Sequence, residues 1–226
     1  MSTPSGMDRN EYYDRQAAEV LKQVLSPRSN CIDIGCCEGL YLKLFLKYSP
    51  NAQHYAFEPI LYYANKLRQA FPNVQVFNLA LSDKSGEAPF YVVPSNPGLS
   101  SLSSRPLIDP DAVREEVKIR TERLDSIIPP QEKIDLIKID VEGAEGFVFS
   151  GGMDTIRRNK PFIIFEHGGL SSEAFGIMSE EIYDILVEQC GLRISLMKDW
   201  MCKKPSMTKK TFIESRNDYF LAYPRE

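Results

Sequence analysis

Cys31-Ile32-Asp33-Ile34-Gly35-Cys36-Cys37-Glu38-Gly39 is the stretch on which the fold turns. Its first four residues, apolar apart from Asp33, run into a glycine. A short apolar run closed in this way reads as a parallel strand buried on both faces. Downstream of it, helices and strands alternate. Leu40 to Tyr48 carries apolar residues at helical spacing and stops at Ser49-Pro50. Gln53 to Phe57 is a second strand, Ile60 to Phe71 a second helix closed by Pro72-Asn73, and Val74 to Asn78 a third strand. Parallel neighbours can be joined only by crossovers, so the βαβαβ order predicts an α/β, doubly wound, Rossmann-like sheet.

The pattern extends both ways. Ala17, Val20, Leu21, Val24 and Leu25 recur every three or four residues, which predicts an N-terminal helix over 8–25, and polar residues 1–7 read as a disordered tail. Toward the C-terminus, Ala88 to Val93 and Val117 to Arg123 read as additional strands flanking Pro94 to Asp111, a connection long enough to suggest function. Then come a strand at Ile134 to Ile139, a helix from Ala144 to Arg158 and a strand at Pro161 to Phe165. A helix at Ser179 to Cys190 ends on Gly191, and strands at Arg193 to Met197 and Tyr219 to Tyr223 complete the set. No linker interrupts 8–226, so one domain is expected.

Composition narrows the classes. A chain of 226 residues, 43% hydrophobic, can bury one sizeable core. A net charge of −4 disfavours nucleic acid as a partner. Five cysteines, an odd number without a C-x-x-C, argue against a disulfide framework or a zinc ribbon and for reduced thiols. No apolar run approaches the ~18–20 residues of a membrane span, and Met1 to Asn10 has no signal-peptide core, so a cytoplasmic location without membrane attachment is expected.

In a doubly wound sheet ligands bind beyond the carboxyl ends of the strands, where the turn from Asp33 to Gly39 should sit. Gly35 and Gly39 would let backbone approach a ligand closely. A dinucleotide fingerprint starting at Gly35 needs glycines at 37 and 40, where this chain has Cys37 and Leu40, so a pyrophosphate cofactor is disfavoured. Glu58, ending the second strand, is placed to accept hydrogen bonds from a ribose; as part of Glu58-Pro59 it also suits a helix N-terminus.

The order and spacing of several further segments carry a resemblance: Tyr55-Ala-Phe-Glu-Pro59, Asn78-Leu-Ala-Leu-Ser-Asp83 with Gly86, Thr121-Glu-Arg-Leu-Asp125, Ile134-Asp-Leu-Ile-Lys-Ile-Asp-Val-Glu-Gly-Ala-Glu145 and Phe162-Ile-Ile-Phe-Glu166. With the Asp33–Gly39 loop, they resemble the FkbM-type family of S-adenosylmethionine-dependent methyltransferases from Asn30 to Glu166. The resemblance implies a class I methyltransferase fold, a mostly parallel seven-stranded sheet with an antiparallel last strand. It also implies methylation of a hydroxyl on a sugar, a glycan or another small metabolite. The family commonly has Ala-Asn where this chain has Cys36-Cys37. An amide at the second position would hydrogen-bond the cofactor better than a thiol does.

Asp33, Gly35, Cys36, Gly39, Glu58, Pro59, Asp83 and Asp140 are thus the candidate cofactor residues, Asp83 competing with a turn role beside Lys84-Ser85-Gly86. Methyl transfer to an alcohol needs a base as attack proceeds. Asp140, Glu142, Glu166 and His167, at the ends of two neighbouring strands, are the candidates, His167 being followed by Gly168-Gly169. Glu145 is expected in a first helical turn, and His54 at the far end of the sheet. Asp140, Glu142, Glu166 and His167 would also suit a divalent cation such as Mg²⁺, but nothing in their spacing demands a metal and none is expected. Tyr12, Tyr13 and Gln16 could lie on a helical lid, Gly98 to Leu102 on the acceptor side. Lys198, Lys203, Lys204, Lys209 and Lys210 form a basic stretch that reads as a solvated face or an attractor for an anionic acceptor. A nicotinamide-dependent oxidoreductase and a non-catalytic interaction protein on the same fold are the alternatives.

Overall fold

The computed structural model describes residues 8–103, 113–168, 175–176 and 178–225; the expected tail at 1–7 lies outside them. Its main sheet has seven strands, β1 (Cys31–Ile34), β2 (His54–Phe57), β3 (Val74–Phe77), β7 (Leu136–Ile139), β8 (Phe162–Glu166), β9 (Leu192–Ser195) and β10 (Tyr219–Pro224), in the order β3-β2-β1-β7-β8-β10-β9. β10 is antiparallel to both β8 and β9, while the neighbours from β3 to β8 are parallel. The order reverses at β1, which has β2 on one side and β7 on the other.

Period-two alternation sends the strands' side chains to two cores. On one face Ile32, Ile34, Phe57, Ile137, Ile139 and Phe165 pack with Phe149, Ile182 and Leu186. On the other, Cys31, Ala56, Leu136 and Ile164 meet Ala17 and Leu21 of α1 (Arg9–Val24) and Leu42 and Phe45 of α2 (Leu40–Tyr48). Each Leu, Ile or Phe side chain among them contributes about 1.5–3 kcal/mol when fully buried. Asp8 caps α1, its carboxylate accepting the Asn10 and Glu11 N–H groups.

One expected helix is corrected, and the two additional strands stand apart from the main sheet. They pair antiparallel as β5 (Gly86–Val92) and β6 (Glu115–Glu122) and, with the unanticipated two-residue β4 (Ala80–Leu81), form a separate sheet in the order β4-β6-β5. The helix expected over 144–158 breaks into α5 (Glu145–Gly151) and α6 (Met153–Asn159). The break has a specific cause. Asp125, in the short helix α4 (Leu124–Ile127), accepts the N–H groups of Asp154 at 3.2 Å and Thr155 at 2.8 Å, capping a new helix start. The helix at Ser179–Tyr183 continues over Asp184–Gln189 with π-type bonding before Gly191, at φ +72°, ends it. Two short helices unanticipated from sequence, Met197–Met201 and Lys209–Ile213, connect β9 to β10.

Candidate active site

At the switch in strand order, a cavity of about 750 Å³ opens beyond the carboxyl ends of β1, β2, β7 and β8. The loop after β1 forms its floor. Gly35 (φ +74°), Cys37 (φ +44°) and Gly39 (φ +77°) all take left-handed backbone, which coils the loop tightly before α2. Gly35 is obligatory: a Cβ there would stand 1.9 Å from the Asp140 carbonyl oxygen. Cys36 is buried and its thiol donates to the Phe57 carbonyl at 3.3 Å. Burial, followed by the Asp33 and Glu58 charges, holds that thiol well above its usual pKa, so it is an inert packing group.

Glu58 follows β2 and is only 4% exposed. One oxygen accepts the Cys37 N–H at 2.9 Å and the other the Ile60 N–H at 2.8 Å, just before α3 (Leu61–Ala70). The ribose reading and the helix-start reading therefore meet in one side chain, since each oxygen retains a second lone pair beside the cavity. Burial pushes the carboxyl up to about 7, against the two backbone hydrogen bonds.

Lys138, which the sequence presents only as one residue of a longer motif, ties the two halves of the site together. Its ammonium is buried, donates to the Gly35 carbonyl at 2.8 Å, lies 3.5 Å from Asp33 and 3.8 Å from Asp140, and faces the Tyr41 ring at 5.3 Å. Burial works against its charge, but the Asp33 and Asp140 carboxylates outweigh it and the pKa is raised overall. The signal for it in the sequence is a lysine inside an apolar strand, where a buried charge requires partners.

Across the cavity Asp140, Glu142 and Glu166 each bring an oxygen within 4.8 Å of the others. Glu142 takes φ +58°, and Glu145, at the start of α5 as expected, accepts the Val141 and Gly143 N–H groups and so shapes the turn. Burial, followed by the charges of Asp140, Glu142 and Glu145, pushes Glu166 up to about 10, so it is protonated at neutral pH beside Asp140. Hard oxygens at this spacing suit a divalent cation, although carboxylates lie this close in many proteins without one.

The cavity gathers Gly35, Cys36, Glu58, Pro59, Asp140, Glu142 and Glu166 from the predicted set. It leaves four aside. Asp33 lies beneath the loop as the partner of Lys138. Gly39 packs instead toward Phe71 and Leu67 of the α3 region. Asp83 turns back to accept from Ser82 at 3.1 Å, next to Gly151. His167, one residue past β8, is not among the lining residues: its ring stacks on Phe212 at 5.8 Å and Nε2 sits 2.8 Å from the Ser179 hydroxyl. Burial lowers its pKa to about 4, which makes it a neutral packing group. His54 is buried at the start of β2, bonded to the Ser49 carbonyl, as expected. The helical wall is made by Arg9, Asn10 and Asp14 rather than Tyr12, Tyr13 and Gln16, and Gly98 to Ser100 with Leu102 also line the cavity. Leu79, Ala80 and Leu81 add an apolar stretch to the lining, and Tyr219 enters from β10. None of the five lysines between 198 and 210 lines the cavity; Lys204 pairs with Asp199, and Lys209 with Glu180 and Asp184.

A seven-stranded sheet with one antiparallel strand set second from its edge, and a glycine loop, carboxylate and cavity at the switch point, define a class I methyltransferase fold. Residues 33–194 match the family described as the Methyltransferase FkbM domain. The chain is 32% identical over 170 residues to the 2-O-methyltransferase NoeI of Sinorhizobium fredii, covering 68% of each protein. It is 26% identical over 189 residues to the methyltransferase sdnD of Sordaria araneosa, covering 68% of this chain and 73% of that one. The crystal structure of the methyltransferase FkbM from Methylobacillus flagellatus superposes with a TM-score of 0.53 at 15% identity, over 88% of this chain and 44% of that one, a likeness of fold. The chain belongs to the FkbM-type family of S-adenosylmethionine-dependent methyltransferases. No helix among the described residues is long and apolar enough to cross a membrane.

Proposed function

We propose that the protein transfers a methyl group from S-adenosylmethionine to a hydroxyl of a sugar, a glycan-linked group or another small metabolite. The carrying observation is the convergence of Asp140 and its carboxylate neighbours on the cavity whose floor is the Gly35 loop. The residues fit a nucleoside methyl donor. Glu58, oriented by two backbone donors, offers free lone pairs to a ribose; Leu79 to Leu81 offer an apolar wall for the base; and the Gly35 backbone permits close approach. About 750 Å³ leaves room for an acceptor as well. The name of the Sinorhizobium fredii relative supports oxygen as the methylated atom.

The bound donor would supply a methyl group on a sulfonium, a centre reactive without further activation. The chain's contribution is alignment, exclusion of water and handling of one proton. Asp140 would take up the proton that the acceptor hydroxyl gives up as its oxygen gains the methyl group. Glu166, protonated, and Glu142 hold other acceptor hydroxyls. A positioned base of this kind is worth roughly 10²–10⁴-fold in rate.

The test is an acceptor screen with isotopically labelled donor, products being read by mass spectrometry. O-methylated product is expected, with Asp140→Ala slowing turnover by about 10²-fold or more. Label found only on nitrogen, carbon or nucleic acid would overturn the acceptor class. Glu58→Ala should weaken S-adenosylhomocysteine binding by about tenfold or more in calorimetry; wild-type affinity in the folded variant would remove the ribose role.

A further inference from the structure

We infer that Tyr219 is a positioning residue for Asp140, and that through Tyr219 the N-terminal helix α1 becomes part of the transfer site. Tyr219 opens β10, the antiparallel strand, in register with Glu166 at the end of β8. Because β10 starts where β8 finishes, its first side chain lies at the crevice end of the sheet. The Tyr219 hydroxyl donates to Asp140 Oδ2 at 3.2 Å, the oxygen that also lies 3.8 Å from the Lys138 ammonium. Burial first, then the charges of Asp140, Glu166 and Tyr41, raise the Tyr219 pKa, so the hydroxyl remains a neutral donor.

The ring of Tyr219 is in turn held by α1. Tyr13 lies against it with centroids 4.7 Å apart, and Arg9 forms an ion pair with the adjoining Asp218. Further along the helix, Asp14 accepts the Tyr41 hydroxyl at 3.3 Å, and the Tyr41 ring faces Lys138. The hydroxyl that donates to Asp140 and the ammonium that faces it are therefore both backed by rings in contact with α1. An undocked helix would leave the Asp140 carboxylate with fewer constraints on its direction, and a misdirected carboxylate loses most of its value to a reacting centre.

The inference rests on the proposal that Asp140 faces the reacting end of the methyl donor, and it can be tested without knowing the acceptor. Two ligands are compared by calorimetry on the full chain: S-adenosylhomocysteine, with a neutral sulfur, and sinefungin, with an ammonium in place of the sulfonium methyl. The wild type is expected to prefer sinefungin by about tenfold, and Asp140→Asn to remove most of that preference. Tyr219→Phe, which keeps the ring, should reduce the preference about threefold while leaving S-adenosylhomocysteine affinity within about twofold. It should add nothing in the Asp140→Asn background, since two changes on one path are not additive. Tyr13→Leu should reproduce the loss in the wild type but not in Tyr219→Phe.

A preference unchanged by Tyr219→Phe, equal loss of both ligands, or a further drop in the Asp140→Asn background would overturn the role of Tyr219. A Tyr13→Leu variant with the wild-type preference would overturn the role of α1. A preference unaffected by Asp140→Asn would instead remove Asp140 from the reacting end, and with it the inference. No binding of either ligand would overturn the proposed function itself.

Discussion

Cys37 carries a backbone cost. At φ +44° it occupies the left-handed region that L-residues other than Asn and Asp rarely adopt, while its N–H is fixed by Glu58. The Ala-Asn that the family commonly places at these two positions therefore has a conformational reason as well as a hydrogen-bonding one. Cys37→Asn should stabilise the fold by about 0.5–1 kcal/mol, the scale of a several-fold statistical preference. The measurement is a urea midpoint moved upward at constant m-value. The same residue scale shows how a side chain's direction escapes sequence reading. Glu166 and His167 are neighbours, yet Glu166, the last residue of β8, enters the cavity and His167, one residue past it, stacks on Phe212.

At the scale of elements, the break between α5 and α6 serves the site. Gly151 lets α5 press against the end of β4, where a Cβ would come within 2.0 Å of the Ser82 carbonyl oxygen. That contact fixes α5 and, with it, Glu145, whose carboxylate holds the turn carrying Glu142. Gly151→Ala must push backbone away from backbone, so a loss of about 2–3 kcal/mol in urea unfolding is expected. A variant as stable as the wild type would show that β4 and α5 separate freely. The helical period over 144–158 is legible in the sequence, but the split is not. It depends on Asp125, 29 and 30 positions away from the amides it accepts.

Three raised carboxyls gather at or beside the crevice, and the stability of the whole molecule should record them. Glu58 and Glu145 are pushed up to about 7 and Glu166 to about 10, burial being the leading cause for each. An acid whose folded pKa is raised binds a proton that the unfolded chain has released. Its contribution is complete below the unfolded value near 4.3 and is lost as pH climbs through the folded one. His167, lowered to about 4, works oppositely between about 4 and 6.5, where the unfolded chain binds the extra proton. These effects offset one another in mildly acidic solution. From pH 7 to 8 Glu166 is the largest single contributor, and stability should fall by up to about 1.4 kcal/mol per pH unit from this group; above that the raised thiols of Cys31, Cys36, Cys37 and Cys190 add a decline of their own. Thermal unfolding of the wild type from pH 7 to 8 should show the decline, and Glu166→Gln should make it shallower; parallel curves would mean that Glu166 is ionised in the folded protein.

The sequence by itself determined the order of elements, the parallel sheet, the glycine loop with Glu58 beyond its second strand, and the family to which those motifs belong. Each is written in local patterns: period-two and helical spacing, turn glycines, and motifs read in chain order. Only the tertiary structure decided which acids share a wall, that His167 is turned away from it, and that Lys138 and Tyr219 support it. Tyr219 stands 79 residues from Asp140, and the antiparallel course of β10 between β8 and β9 is what brings its hydroxyl to that carboxylate. Strand periodicity marks where a strand lies; register and pairing, settled by the packing of the whole sheet, set what its first residue can touch.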